Sequence, residues 1–189
     1  LLVEKGTGKE VFAQAIHSAS KRKTKTFLAL NCSAFSKEIL ESELFGHKAG
    51  AFTGAAAKDK KGLIEEANEG TLFLDEIGEM NIDLQAKLLR VLETNEFYKV
   101  GDSKSTKVNV RIIAATNRNL QKESKNGHFR LEGFYRLSVF QITLPSLNER
   151  AEDIAEFAHV VTKIFADKMN KRVPKISNEL SSALKKHNW

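Results

Sequence analysis

The sequence predicts an α/β fold, a parallel sheet flanked by helices, followed by a small all-helical segment. Three observations carry this. Short apolar runs alternate with amphipathic stretches, the pattern of strands joined by helical crossovers. Three of the runs end on polar residues, Asn31, Asp75-Glu76 and Thr116-Asn117, and open α/β sheets bind ligands beyond the carboxyl ends of their strands. After Pro145 only helical periodicity remains.

Taken in order, Leu1-Leu2-Val3 reads as the end of a strand running into a glycine-rich turn. Glu10 to Ser18 reads as a helix with Val11, Phe12, Ala15 and Ile16 on one face, and Phe27 to Leu30 as a second strand ending at Asn31. Ile39 to Phe45 is a short helix, Thr71 to Leu74 a buried strand ending in Asp75-Glu76, and Leu84 to Phe97 a helix striped by Leu84, Leu88, Leu89 and Leu92. Val108 to Ala115 is expected to be a strand ending at Thr116-Asn117, and Val139 to Leu144 a last strand closed by Pro145. Beyond it, Ile154, Phe157, Ala158, Val161, Ile164 and Phe165 follow helical spacing, and Leu180, Ala183 and Leu184 begin another helix. The expected division is an α/β core over 1–145 and a helical subdomain over 146–189. Both ends look cut. The first strand has about three residues where five or six are usual, and the last helix stops at Trp189 without a cap.

Composition narrows the class. A chain of 189 residues with 41% apolar content is one large globular domain, or one domain and part of a second. No run approaches the ~20 apolar residues of a membrane span, and no signal peptide is visible. A single cysteine, Cys32, excludes an internal disulfide and fits a reducing cytoplasm. It reads as a small buried side chain. The charge of +6, from 30 basic and 24 acidic residues, is milder and less clustered than a dedicated DNA binder carries. The runs Lys21-Arg22-Lys23-Thr24-Lys25 and Lys58-Asp59-Lys60-Lys61 read mainly as solvated loops.

Two motifs carry chemistry by their context. Gly6-Thr7-Gly8-Lys9, followed by Glu10, lies between a strand end and a helix start. There, backbone N–H groups and the helix dipole hold phosphate, and Lys9 would reach the β- and γ-phosphates of a nucleotide. The residues alone also allow a glycine turn before an ordinary helix. Asp75-Glu76, delivered by the apolar strand Thr71-Leu72-Phe73-Leu74, is a Walker B arrangement. Asp75 would hold Mg²⁺, and Glu76 would orient or deprotonate an attacking water. The simpler reading is an acidic turn. Pairing with an upstream phosphate loop favours a site, because phosphoryl transfer needs positioning and charge neutralisation more than covalent chemistry. His47 has no second ligand at metal spacing and reads as structural.

Gly50-Ala51-Phe52-Thr53-Gly54-Ala55 is a loop whose two glycines allow tight turns. A bare phenylalanine at a loop tip points to a partner, or else to a hairpin whose Phe packs inward. Together with Glu43-Leu44-Phe45-Gly46-His47 before it, Gln85 to Glu93, and Leu144-Pro145 to Ile154, this GAFTGA sequence resembles the central AAA+ domain of the sigma-54-dependent, enhancer-binding bacterial activators over nearly the whole chain.

The resemblance implies a P-loop AAA+ core and helical lid, ATP and Mg²⁺ as ligands, and a self-associated hexameric ring. It implies a GAFTGA tip acting on the sigma-54 factor of RNA polymerase, and DNA contact only through a module downstream of this chain. It casts Asn117 as the sensor I residue that feels the γ-phosphate or its water. It casts Asn31 as the residue that restrains Glu76 until the partner engages, and Arg130 and Arg136 as paired arginine fingers. Read alone, the asparagines are turn residues and the arginines surface side chains. Glu10 fits the family. Val3 stands where the family has glycine, and Glu132 and Gly133 depart from the usual arginine-finger segment. The family's sensor II arginine falls past Trp189, so residues 1–189 alone are expected to hydrolyse ATP poorly. The rival readings are an AAA+ remodeller of another protein or of DNA, and a nucleotide-binding regulatory module without turnover. A basic DNA-binding domain is the weakest.

Overall fold

The computed structural model describes residue 1, residues 8–51 and residues 58–187. The chain divides into two compact units, Leu1–Thr143 and Leu144–Trp189. The first is built on a parallel sheet of β1 (Phe27–Asn31), β4 (Thr71–Asp75) and β7 (Arg111–Ala114), in that order, with β4 central. Between β1 and β4 lie α2 (Lys37–Phe45), the short strands β2 (Gly46–His47) and β3 (Lys60–Lys61), and α3 (Leu63–Glu66). After β4 come a 3₁₀ turn, Ile77–Glu79, then α4 (Ile82–Thr94) and a hairpin of β5 (Glu96–Tyr98) and β6 (Ser105–Lys107). β7 is followed by α5 (Leu120–Lys125) and α6 (Leu131–Leu137), and α1 (Lys9–Ser18) precedes β1.

Strand periodicity of two sorts the side chains into layers. On β4, Leu72 and Leu74 enter a core with Leu40, Leu44, Phe45, Ile64, Leu84 and Leu88, while Phe73 faces Ala13, Ile113 and Ala115. Helices therefore cover both faces, as a parallel sheet requires. Each fully buried Leu or Phe contributes roughly 1.5–3 kcal/mol. Thr71 shares the Phe73 face and bonds the buried His17 through Oγ1, 2.9 Å from Nδ1. The free side of β7 is bracketed by Leu1, whose amino group donates to Ala114 O at 2.6 Å and whose carbonyl accepts from Thr116 N–H at 3.0 Å. That is the alternation of a parallel neighbour. Leu2 and Val3, the rest of the expected first strand, lie outside the described residues.

Three sequence expectations are corrected. The Leu84–Phe97 helix runs instead over Ile82–Thr94. Asn81 caps its start by accepting from Asp83 N–H, and Asn95 ends it in the left-handed region at φ 56°, a conformation asparagine tolerates. Phe97 then sits on β5, buried against the Phe45 ring at 6.0 Å. The Val108–Ala115 strand is confined to Arg111–Ala114, because Val108 N–H is taken by Asn95 O and the Asn109 carbonyl by Glu69 N–H. Val139–Leu144 is not a strand. It holds a single bridge position at Thr143, and Val139 and Phe140 are 83% and 81% exposed.

Arg22 lies in a turn, as its sequence predicts, but it is tethered there. Its guanidinium donates to Gly70 O at 2.9 Å, Asn109 O at 2.7 Å and Asn109 Oδ1 at 2.6 Å, tying the α1–β1 connection to the entries of β4 and β7. Bonds from charged donors are worth about 1.5–3 kcal/mol when buried, and two of these are solvent-exposed. We expect Arg22→Ala to cost about 1–2 kcal/mol, read as a lower urea midpoint with unchanged m-value; an unchanged midpoint would show the tie to be idle.

In the second unit, α7 (Ile154–Lys168) and α8 (Asn178–Lys186) are the regular elements besides a 3₁₀ turn at Asn148–Arg150. Ser177 caps α8 by accepting from Leu180 N–H.

Candidate functional site

The carboxyl ends of β1 and β4, the segment just after β7 and the start of α1 supply the chemistry. Gly8, in the left-handed region at φ 85°, turns the chain into α1, and Phe12 N–H closes the first turn on Gly8 O at 3.1 Å. Lys9 opens the helix and is buried. Its ammonium lies 2.7 Å from Glu76 Oε1 and 3.5 Å from Asp75 Oδ1, with 7% of the Lys9 side chain and 10% of the Glu76 side chain exposed. Burial at this level makes the pair costly to break from one side. Asp75 Oδ1 also accepts Glu76 N–H at 2.9 Å. Glu10, next to Lys9, is exposed in the first turn of α1.

Glu76 has φ 51° and ψ 46°, a backbone that costs a non-glycine residue on the order of 1–2 kcal/mol and persists where the surroundings over-determine it. Its Oε2 is buried without a hydrogen-bond partner among the described residues. A strained, half-satisfied carboxylate beside a buried ammonium is an arrangement found at functional sites.

The other predicted residues fall into place unevenly. Asn31 pairs in register with Asp75, but its Oδ1 accepts from Ser33 N–H at 2.8 Å and Ser33 Oγ at 2.7 Å. It thus makes a turn, and the ammonium of Lys9 holds Glu76. Asn117 is exposed just past β7, between Thr116 and Arg118, whose N–H donates to Thr116 Oγ1 at 3.0 Å. Arg130 caps α6: its N–H donates to Gln85 Oε1 at 2.8 Å and its Nε to Ile82 O at 3.2 Å. Arg136, at the far end of α6, is exposed and pairs with Glu93 at 3.4 Å. The helix between them forms despite Gly133, which is buried against Phe129. Gly6 and Thr7 lie outside the described residues.

Cys32 follows Asn31, buried, with its N–H on Asp75 O at 2.9 Å. Burial first, and then the Asp75 and Glu76 carboxylates, push its thiol up to about 12, so it is not a nucleophile. His47 is buried with Nδ1 2.8 Å from Ser42 Oγ. No group of three or more metal-ligating side chains occurs among the described residues.

The GAFTGA stretch emerges from the β2–β3 hairpin, where Gly46 pairs with Lys61 and His47 with Lys60. Gly50 has φ 71° and Ala51 is described; Phe52, Thr53, Gly54 and Ala55 lie outside the described residues. The base is cross-tied. Lys48 Nζ meets Asp59 Oδ2 at 2.6 Å, and Asp59 Oδ1 accepts Ala49 N–H at 3.0 Å. First the Lys48 bond and then the Ala49 N–H hold the Asp59 carboxyl below its usual value. The turn after β5 braces the same base, with Lys48 N–H on Val100 O at 3.0 Å and Val100 N–H on Gly46 O at 2.9 Å. Sequence reasoning missed this brace. Its one local signal is the Gly101-Asp102 turn pair, which says nothing about where the turn docks.

Comparison with known proteins agrees with this architecture. The family model described as the Sigma-54 interaction domain matches residues 1–143. The Nif-specific regulatory protein of Klebsiella pneumoniae is 50% identical over 186 residues, covering 98% of this chain and 35% of that protein. Regulatory protein LuxO of Vibrio parahaemolyticus is also 50% identical, with 98% and 41% covered. The crystal structure of NtrX from Brucella abortus superposes with a TM-score of 0.91 at 37% identity, over all of this chain and 42% of that one; NtrX in complex with ATP gives 0.89. The chain thus spans between 29% and 42% of the length of such relatives and structures. With its AAA+ parallel-sheet core, the chain belongs to the family of sigma-54 interaction domains of transcriptional regulators.

Proposed function

We propose that this chain binds ATP with Mg²⁺, hydrolyses it, and uses the reaction to drive the GAFTGA loop against the sigma-54 factor of RNA polymerase. The observation that carries the reading is the convergence of Lys9, Asp75 and Glu76 within 2.7–3.5 Å at the carboxyl edge of the sheet. ATP is the nucleotide held by NtrX in one of the matched structures.

In this reading Gly6, Thr7, Gly8, Lys9 and Glu10 form the nucleotide loop. Backbone N–H groups at the start of α1 cradle phosphate, and Lys9 leaves Glu76 to meet the β- and γ-oxygens. Asp75 would hold Mg²⁺ with the phosphates. A single carboxylate at a strand end, with no all-protein cage, is the donor set that ion takes, and its charge would offset that on the phosphates. Once Lys9 is withdrawn, Glu76 accepts a proton from the attacking water. Asn117 faces the γ-phosphate, Asn31 restrains Glu76 until sigma-54 engages, and Arg130 and Arg136 serve the neighbouring subunit's site in a hexameric ring. Gly50, Ala51, Phe52, Thr53, Gly54 and Ala55 contact sigma-54. Residues 1–145 form the core and 146–189 the lid, in a cytoplasmic protein whose DNA contacts come from a separate module.

The test is capture of sigma-54 in the presence of an ATP transition-state analogue. Capture is expected with the native loop, and Phe52→Ala or Thr53→Ala should weaken it at least about 100-fold, the loss of a central interface anchor of ~2–3 kcal/mol. Undiminished capture by both variants refutes the assignment of the loop. A second reading, a nucleotide-binding module without turnover, draws on the capture of Glu76 by Lys9. Phosphate release from the full-length protein separates the two.

A further inference from the structure

Arg118, one residue past Asn117, has no part in the assignments above. Its stem lies over the turn that follows Glu76. A β-carbon built on Gly78 would meet Thr116 Oγ1 at 2.9 Å, Arg118 Cδ at 3.2 Å and Arg118 Cβ at 3.3 Å, so side chains from the β7 exit rest directly on that glycine. Farther out, Arg118 Nη2 lies 2.6 Å from each Glu79 carboxylate oxygen, and Nη1 lies 3.7 Å from Glu123 Oε2. The backbones are joined too, with Ile77 N–H on Ala115 O at 3.0 Å. The Ile77–Glu79 turn and the 115–118 segment therefore make one joint. Glu76, at φ 51°, enters it from one side, and Asn117 sits within the other.

We propose that Arg118 is a positioning residue for hydrolysis, clamping the turn after Glu76 to the Asn117 segment so that the general base and the γ-phosphate contact keep one separation. This rests on the ATP-hydrolysis reading above. The Arg118 and Glu79 side chains are 41% and 36% exposed, and exposed ion pairs add little to stability. Loss of the clamp therefore leaves the domain folded, while the strained backbone at Glu76 relaxes toward commoner angles and carries its carboxylate off line. Displacements of about 1 Å at a reacting group cost up to about 100-fold in rate.

The experiment compares the full-length native protein with its Arg118→Ala and Arg118→Lys variants. Measured quantities are steady-state phosphate release, affinity for a fluorescent ATP analogue, and amide hydrogen exchange over 76–80 without nucleotide. Arg118→Ala is expected to lower kcat about 10- to 100-fold with KM and analogue affinity within about twofold. Exchange over 76–80 should rise, and Arg118→Lys, which keeps a cation for Glu79, should restore most of both. An Arg118→Ala enzyme with native kcat, or one whose loss lies wholly in KM, overturns the proposal. If the native protein releases no phosphate, the hydrolysis reading fails by itself, and the exchange measurement decides the clamp: unchanged exchange in Arg118→Ala overturns it.

Discussion

Lys9→Ala is expected to abolish ATP binding and to destabilise the nucleotide-free domain by about 3 kcal/mol. The first effect follows from losing the ammonium that, in the proposed function, meets the phosphates. The second follows from what the ammonium does beforehand. It holds the Glu76 carboxylate at 2.7 Å in a site where both side chains are nine-tenths buried or more. Removing one partner of a buried pair strands the other charge, which costs more than the pair itself contributes. Glu76 Oε2 already lacks a partner among the described residues, so the stranded carboxylate has little to fall back on except Glu76 N–H's neighbour Asp75, a like charge.

Glu76→Gln separates the two effects. The amide keeps an oxygen for Lys9, and Asp75 at 3.5 Å remains as its counter-charge, so the loss of stability should be smaller than in Lys9→Ala, about 1–2 kcal/mol. Nucleotide still binds, and phosphate release falls about 10²–10⁴-fold with the loss of the base. The double variant Lys9→Ala, Glu76→Gln should regain much of the lost stability, since contacting residues are not additive. Urea unfolding of the four proteins, with binding of a fluorescent nucleotide, measures all of this. A Lys9→Ala protein as stable as the native one would mean that the pair carries no weight in solution.

The sequence announces the frame of this site but not its resting state. Strands β1, β4 and β7 are legible because each is an apolar run followed by polar residues, and Asn31, Asp75 and, just past β7, Asn117 lie at the carboxyl edge of the sheet. The helix after Glu76 is legible from its leucine stripe, yet its end is not. Asn95 stops it by taking a left-handed backbone, and Phe97, which continues the apolar pattern, belongs to β5 instead. Val139 to Leu144 has strand-like composition, but only Thr143 makes a bridge. What is least legible is pairing across distance. Lys9 and Glu76 are 67 residues apart and Arg22 and Asn109 are 87 apart. Each residue taken singly looks like a phosphate ligand, a water activator, or a member of a basic loop. Their partners depend on the closed sheet, which no local window encodes.

Gly101→Val should uncouple the nucleotide site from the GAFTGA loop. Gly101 has φ +76°, and a β-carbon there would stand 2.7 Å from Ala51 Cβ and 3.3 Å from Ala51 Cα. Two costs add: a β-branched residue in the left-handed region, on the order of 1–2 kcal/mol, and a clash with the loop base that forces one chain to move. The braced partner is the Lys48–Ala51 segment, held to the turn after β5 through Val100 and to the far side of the loop through Asp59. Movement there displaces Gly50 and Ala51, the first two residues of the signature. Lys9, Asp75 and Glu76 use none of these contacts. We therefore expect phosphate release within about threefold of native and capture of sigma-54 weakened at least about tenfold, the equivalent of ~1.4 kcal/mol. A paired test isolates the clash. Gly101→Ala meets Ala51 in the same way, and adding Ala51→Gly removes the nearer contact, so the double variant should recover capture that Gly101→Ala loses. Native capture by Gly101→Val, or no recovery on adding Ala51→Gly, would show that the loop does not depend on this brace for its aim.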